Sequence, residues 1–345
     1  MGEVRQARLA FIGCGAFATG SIFPNVHLVP EIDLVAVCDL DREKAEKNAR
    51  NFGARAVYTD LEAMLDKEQP DGVFVIGPAP QQYELAPHVL RRGIPVYVEK
   101  PSANTSAEAL ALVEIAKAHH TWGQCGFMKR FAYVYLMAKE ILAREEFGPL
   151  HLVKCKFSQG PYPQIWGIDS ARRAMLIGQL CHVFDLIRFF GGDVKKVHAM
   201  FHGVTDTQFA YLVNLEFANG IHGQLDVNGL ECKYGFRDIQ ETLQLVGLDT
   251  HVICDNMMTV QWQAKDDWTT VVPQAGRYTH EFHPAWPSFG SSRAYGYTGE
   301  VAHFAKRCLG LVEGGPDLWD SYRSLQIGEA VYESAFGEKT VTIEG

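Results

Sequence analysis

The segment Leu9-Ala10-Phe11-Ile12-Gly13-Cys14-Gly15-Ala16-Phe17-Ala18 constrains the fold more than any other stretch of this chain. Its apolar first half reads as a buried strand, and the GxGxxA spacing that follows reads as a turn into a helix. Gly13 permits the tight turn, Gly15 opens the backbone to a pyrophosphate, and Ala18 lets the helix approach the sheet closely. A helix start would add unpaired N–H groups and the positive end of the helix dipole. The same letters also suit an ordinary strand-to-helix turn, so the surrounding pattern has to decide. A second apolar run ends at Asp39, about 20 residues further on, where a carboxylate can accept hydrogen bonds from both hydroxyls of an adenosine ribose. The two signals together point to a dinucleotide site that includes Gly13, Gly15, Ala16, Phe17 and Asp39. A carboxylate about 4 Å from a 2′-phosphate would be repelled by up to roughly 4 kcal/mol at a partly exposed site. NAD is therefore favoured over NADP, with Arg42 either a partial offset to that repulsion or a solvated helix residue.

Apolar runs at 8–12, 34–38, 72–76 and 96–98 alternate with helical patterns at 42–52, 61–67, 83–92 and 105–118. That alternation makes a parallel sheet with helical crossovers. Thr105 and Glu108 have the spacing of a capping box. After about residue 126 the grammar changes to strands at 150–157, 194–201, 211–217 and 220–227, with an Asn219-Gly220 hairpin signal. An apolar helix at 174–190 interrupts them, and helices near 299–309 and 317–334 close the chain. The expected fold class is α/β. It comprises an N-terminal Rossmann dinucleotide-binding domain, 1–127, and a C-terminal α+β domain, 128–345, on a large, mostly antiparallel open sheet.

Composition narrows the partners. The 345 residues carry 32 Lys+Arg against 41 Asp+Glu, a net charge of −9, and no basic cluster suited to nucleic acid phosphates. No apolar stretch reaches the roughly 18–20 residues that span a bilayer. The apolar run after Arg5 and Arg8 is interrupted by Gly13 and Gly15, unlike a signal peptide. The eight cysteines are scattered without a CxxC pair, as in a reduced, cytoplasmic protein. His280-Glu281-Phe282-His283 lacks a third ligand at a known metal spacing, so no metal is expected.

Val96-Tyr97-Val98-Glu99-Lys100-Pro101 closes a strand whose carboxyl end points toward the dinucleotide site. With the glycine turn, this pattern resembles the Gfo/Idh/MocA family of glucose–fructose oxidoreductases and inositol dehydrogenases. The resemblance continues through Gly126-Phe127-Met128-Lys129-Arg130-Phe131 and through Gly178-Gln179-Leu180-Cys181-His182-Val183-Phe184-Asp185. It extends to Tyr297-Thr298-Gly299-Glu300 with His303-Phe304 and to Gly328-Glu329-Ala330-Val331-Tyr332-Glu333-Ser334, which covers almost the whole chain. It implies a catalytic Lys100 and a second domain that holds a sugar or cyclitol. It also implies that Gly77, Pro78, Gln82, Glu99 and Lys100 join the cofactor site. Arg130, Trp166, Gln179, Lys100 and His182 are then the candidate substrate contacts, and assembly as a homodimer or homotetramer through the C-terminal sheet is implied.

Hydride exchange between a secondary alcohol and nicotinamide needs a proton to leave or reach the same oxygen, a task worth roughly 10²–10⁴ in rate. Lysine beside a cationic ring and histidine near its ordinary pKa both suit that task. His182 lies on an apolar helical stretch, where the residues alone also suit a core histidine. The departures are informative. Many family members carry Asp or Asn four residues before this histidine, whereas here Gly178 stands there with Gln179 beside it. Glutamine orients a hydroxyl but takes no proton. Gln82 stands where a histidine is frequent, and Trp166 falls where an aromatic platform for a sugar face would sit. The expected function is an NAD-dependent oxidoreductase acting on a sugar, glycoside or cyclitol, with Lys100 and His182 handling the proton. The alternative is a redox-neutral, NAD-dependent glycoside-cleaving enzyme that oxidises its sugar only transiently.

Overall fold

The apolar runs of the first third become parallel strands in the computed structural model, which describes residues 5–231, 239–263 and 294–344, and 280–282 by their backbone. They are β1 (Ala7–Ile12), β2 (Ile32–Cys38), β3 (Ala56–Tyr58), β4 (Gly72–Val75), β5 (Val96–Val98) and β6 (Gly123–Cys125). Their order, β3-β2-β1-β4-β5-β6, reverses direction beside β1, and every pair is parallel. Ligands in such sheets bind at that reversal, beyond the carboxyl ends of the strands. The short strands β3 and β6 lack a clear sequence signal because three residues show no periodicity and, unlike the Val-Tyr-Val of β5, theirs are not a run of strong β formers.

The crossover helices are α1 (Arg42–Phe52), α2 (Leu61–Glu68), α3 (Ala79–Leu90) and α4 (Ser106–Ala118). Asp41 and Asp60 cap α1 and α2 by accepting hydrogen bonds from the backbone N–H groups two and three residues on. Thr105 and Glu108 complete the expected capping box on α4. Such caps are each worth about 1 kcal/mol. Alternate residues of β1 serve opposite layers. Leu9 and Phe11 join one core with Phe23 and Phe74; Ala10 and Ile12 join another with Met64, Leu90 and Leu112.

The helix expected after the glycine turn winds differently. Residues Ala18–Ile22 form a π-helical turn and Phe23–Leu28 a 3-10 segment. Thr19, Gly20 and Ser21 are weak helix formers, and Pro24 has no N–H to continue an α-helical ladder. The Asn25 side chain donates to the carbonyl of Ser21 at 2.6 Å, which satisfies an acceptor that a regular helix would have paired.

Among the described residues the second unit has nine strands: β7 (Leu152–Ser158), β8 (Val194–Gly203), β9 (Phe209–Phe217), β10 (His222–Asn228), β11 (Gln240–Val246), β12 (His251–Asp255), β13 (Thr259–Gln263), β14 (His280–Phe282) and β15 (Val341–Thr342). Their order is β14-β13-β12-β11-β7-β10-β9-β8-β15, and only β7 and β10 pair in parallel. The Asn219-Gly220 turn joins β9 to β10, with Gly220 at φ +87. Helix α5 (Tyr133–Leu142) leads into this unit. The single helix expected at 174–190 is two: α6 (Ala171–Ala174) and α7 (Cys181–Gly191), separated by a π-helical turn at Met175–Gln179 and bent by 45°. No single helix among the described residues is long and apolar enough to cross a membrane.

Two more helices follow, α8 (Tyr297–Cys308) and α9 (Leu318–Gly337). The chain divides into a first unit of Met1–Phe131 with Gly296–Leu325 and a second of Ala132–Tyr295 with Gln326–Gly345. The expectation of one uninterrupted second domain, 128–345, is therefore revised by the return of Gly296–Leu325 to the first. The physical reason is aromatic: Phe304 of α8 is fully buried and meets Phe74, Tyr97 and Trp122 edge-on at centroid distances of 4.8, 5.9 and 5.5 Å. Removing such a ring costs about 3–5 kcal/mol through lost burial and the cavity left behind. Phe304→Ala is expected to lower stability by that amount in urea denaturation. A loss below about 1 kcal/mol would refute the role assigned to this contact.

Candidate functional site

Within the first unit, β1 and β4 end side by side at the sheet reversal, and the turn after β1 is held from β2 and from β4. The Gly13 N–H donates to the carbonyl of Cys38 at 2.9 Å, and Ile76 N–H donates to the carbonyl of Ile12 at 2.9 Å. Gly13 has φ +98, and a Cβ there would lie 2.0 Å from the carbonyl oxygen of Ile76. No side chain fits. At Gly15, by contrast, a Cβ would meet nothing within 4 Å, so its backbone faces open space. That space is a cavity of about 440 Å³ whose lining includes Gly13, Gly15, Asp39, Gly77, Pro78 and Gln82. Six residues expected from sequence at the cofactor site therefore converge on one cavity. Phe17 is exposed beside Tyr297, at a ring distance of 6.3 Å, and neither it nor Ala16 lines the cavity.

Asp39 does more than edge the cavity. Its Oδ2 accepts from the Cys14 N–H at 2.7 Å and its Oδ1 from the Asp41 N–H at 2.8 Å. The carboxylate thus ties the end of β2 to the glycine turn and keeps further lone pairs for hydroxyl donors. Arg42 is paired with Glu46 at 2.9 Å, and Lys44 with Asp41 at 3.0 Å. The cation closest in sequence to Asp39 is thus engaged along its own helix. The Cys14 thiol is pushed up to about 12 by burial and by Asp39, and is an inert neutral group.

The segment carrying Lys100 is clamped from below. Gln82 is buried. Its Nε2 donates to the carbonyl of Glu99 at 2.8 Å and to that of Pro101 at 3.1 Å, and its Oε1 accepts from the Glu99 N–H at 2.6 Å. One carboxamide therefore bridges the cavity wall to the backbone on both sides of Lys100. Glu99 points inward rather than toward the cavity. It is 4% exposed, and its carboxylate accepts from the Tyr97 hydroxyl at 2.9 Å and from the Lys100 N–H at 3.1 Å. Burial pushes its carboxyl up to about 7, opposed by the Lys100 charge and by the hydrogen bond from Tyr97. Arg130, on a short 3-10 turn, is held by Asp320 at 2.9 Å with both side chains largely buried.

In the second unit, Gln179 ends the π-helical turn and His182 lies in the first turn of α7, each 8% exposed. A π-helical insertion re-aims the side chains around it and is frequent at functional sites. Gly178 explains the absent acid. A Cβ there would lie 2.6 Å from the Tyr162 hydroxyl, 2.9 Å from Cδ1 of Ile165 and 3.2 Å from the Trp166 ring. Tyr162 thus occupies the space that a side chain at 178 would need. Its hydroxyl is kept neutral chiefly by burial. Trp166 is partly exposed and sits at φ +54, a left-handed conformation that costs a non-glycine residue energy and gathers at functional sites.

Sequence reasoning passed over Tyr162 and Lys44, which also lines the cavity, and named Glu300 only as part of a motif. Tyr162 is far in sequence from Gly178 and carries no motif, so only an inspection of what a missing Cβ makes room for could reveal it. Among the described residues no group of three or more His, Cys, Asp and Glu could hold a metal; His283 of the His280–His283 stretch lies outside them.

The sequence model of the GFO_IDH_MocA oxidoreductase family, with its NAD-binding Rossmann fold, matches residues 7–127. The model of the GFO/IDH/MocA C-terminal domain matches residues 135–249. The chain is 25% identical to the inositol 2-dehydrogenase of Acidothermus cellulolyticus over 99% of its own length and 96% of that protein's. A dehydrogenase from Chromobacterium violaceum is similar in fold, with a TM-score of 0.86, 23% identity and coverage of 97% and 96% of the two chains. GenD2 from gentamicin A biosynthesis, solved in complex with NAD, has a TM-score of 0.77, 25% identity and coverage of 100% and 98%.

Two outcomes follow from this geometry. If Asp39 accepts from the ribose as its sequence position implies, Asp39→Ala, which also loosens the Cys14 turn, should weaken NAD binding at least about 10-fold by calorimetry while NADP binding weakens less. Equal loss for both dinucleotides would remove Asp39 from the discrimination. Gly178→Ala should cost about 1–3 kcal/mol by overpacking, and Tyr162→Phe should recover part of that cost in a double-mutant cycle. Additive effects would mean that the two residues do not share the space.

Proposed function

The chain belongs to the Gfo/Idh/MocA oxidoreductase family, and from that premise we propose an NAD-dependent dehydrogenase of a cyclitol or sugar, with Lys100 and His182 handling the hydroxyl proton. The observation that carries this reading is the Gln82 clamp. It ties the backbone of Glu99 and Pro101, and with them Lys100, to a wall of the dinucleotide cavity. A cyclitol as substrate is supported by the inositol 2-dehydrogenase among the relatives.

The residues present suit a dinucleotide. Gly13 admits no side chain, Gly15 leaves open backbone, and Asp39 offers free acceptor capacity at the cavity edge. When bound, NAD supplies the hydride acceptor for the carbon being oxidised. The chain supplies the rest. Gly13 and Gly15 present backbone to the pyrophosphate, and Asp39 accepts from the ribose hydroxyls. Lys100, as the neutral amine, takes the hydroxyl proton at Nζ. The His182 imidazole assists that proton. Gln179 orients a substrate hydroxyl but moves no proton.

Purified protein incubated with NAD and a panel of cyclitols, free sugars and glycosides should form NADH in step with ketone product. Lys100→Ala should lower turnover by at least about 10² while calorimetry shows NAD binding nearly intact. Near-normal turnover in that variant would overturn the role of Lys100. Glycoside cleavage without NADH would replace the dehydrogenase reading with redox-neutral chemistry.

A further inference from the structure

Directly behind Lys100, the first unit buries two carboxyl groups with one cation near them. Glu99 is 4% exposed and Glu300, on the first turn of α8, is fully buried. Glu99 has two donors, the Tyr97 hydroxyl and the Lys100 N–H. Neither carboxyl oxygen of Glu300 has a hydrogen-bond partner; only its backbone carbonyl is held, by Gln124 at 2.9 Å. The chain leaves room for this arrangement. A Cβ on Gly126 would lie 2.5 Å from the Tyr97 hydroxyl and 2.8 Å from Oε1 of Glu99, so any larger residue would displace the Tyr97–Glu99 bond.

We propose that Glu99 and Glu300 form a buried carboxyl pair that carries at most one negative charge, located on Glu99, and that this pair sets the protonation of Lys100. The inference rests on the reading of Lys100 as the proton-handling residue, and both glutamates act as positioning residues. Two carboxylates cannot share a dry interior with one cation, because each charge without a partner carries a desolvation penalty. Glu99 accepts two hydrogen bonds and has the Lys100 charge as the strongest influence against its burial, so it keeps the anion. The carboxyl oxygens of Glu300 make no hydrogen bond of good geometry, and burial and then Glu99 drive it well above the ordinary range, with Tyr97 and Lys100 opposing more weakly, so it keeps the proton. The N-terminal end of α8 favours an anion there, but that effect loses to burial.

The remaining groups facing the pair do not change its charge count. Tyr97 and Tyr297 are both pushed up, first by burial and then by the two glutamates, and stay neutral. On the 3-10 turn packed against α8, Arg130 is engaged by Asp320, and neither it nor Lys129 is among the groups that move either carboxyl. With Glu300 neutral, ammonium with carboxylate and amine with carboxylic acid have the same net charge. A proton can pass from Nζ of Lys100 to a carboxylate oxygen of Glu99, breaking one N–H bond and forming one O–H bond, with no charge imported. The free amine is then available as a base without loss of a proton to solvent.

The test uses the full chain with NAD and the cyclitol, sugar or glycoside of the panel above that yields NADH. Infrared spectra of the wild type should show a protonated carboxyl band that persists above neutral pH. The band should be absent in Glu300→Gln and present in Lys100→Met, so the pair is tested even if the lysine reading fails. Turnover surviving in Lys100→Met would sink that reading alone. In the pH profile of kcat/KM for oxidation, Glu99→Gln should move the acid limb to lower pH by about one unit, because the ammonium loses its counter-charge. Glu300→Ala should move it to higher pH, because solvent entering beside Glu99 fixes the carboxylate. Glu300→Gln should restore the limb toward its original position. Absence of the carboxyl band at neutral pH in the wild type, equal shifts in the Ala and Gln variants, or an unmoved limb in Glu99→Gln would each overturn the proposal.

Discussion

The carbonyl oxygen of Ile76 lies 2.0 Å from where a side chain on residue 13 would begin, so β1 and β4 meet at their carboxyl ends over bare backbone. The cavity exists because of this contact. Gly13 donates to Cys38 and Cys14 to the Asp39 carboxylate, so the end of β2 is fastened to the same turn. The glycine turn and the Asp39 carboxylate are therefore parts of one hydrogen-bonded unit. An acid at the end of β2 is structural before it is a ligand.

A second clamp extends the organisation sideways. Gln82 stands on α3, lines the cavity and holds the backbone around Lys100. Beneath it, Glu99, Tyr97, Gly126 and Glu300 form a dry polar layer in which burial raises both carboxyls. Fully hydrogen-bonded buried polar groups rigidify a site, whereas unpaired ones are costly and need a reason. Glu300 is the unpaired member, and a neutral carboxylic acid is the form in which its burial costs least.

Much of this was legible in the residues. The GxGxxA turn and Asp39 located the cavity, and alternation located the parallel sheet. The capping residues Thr105 and Glu108 fixed the start of α4 within one residue. The hairpin at Asn219-Gly220 was equally plain, since a left-handed position calls for glycine there. What escaped has identifiable causes. The π-helical turns at 18–22 and 175–179 arise from local competition among side chains, Pro24 and the backbone, which apolar periodicity does not register. Gln82 looked like a cofactor contact and proves to bridge backbone groups as well, because a side chain's partners depend on what folds beside it.

The sequence by itself determined most of the helices and longer strands, the parallel first sheet and the mostly antiparallel second one, and the family to which the chain belongs, because these rest on local turn chemistry and on periods of 2.0 and 3.6 residues. It also exposed Gly178 as a missing acid. Only the tertiary structure decided that Tyr162 fills that space, that Gly296–Leu325 returns to the first unit, and that Glu300 is buried with Glu99 behind Lys100. Each of these joins residues distant along the chain, and burial, which sets both packing and charge state, is a property of the folded molecule alone.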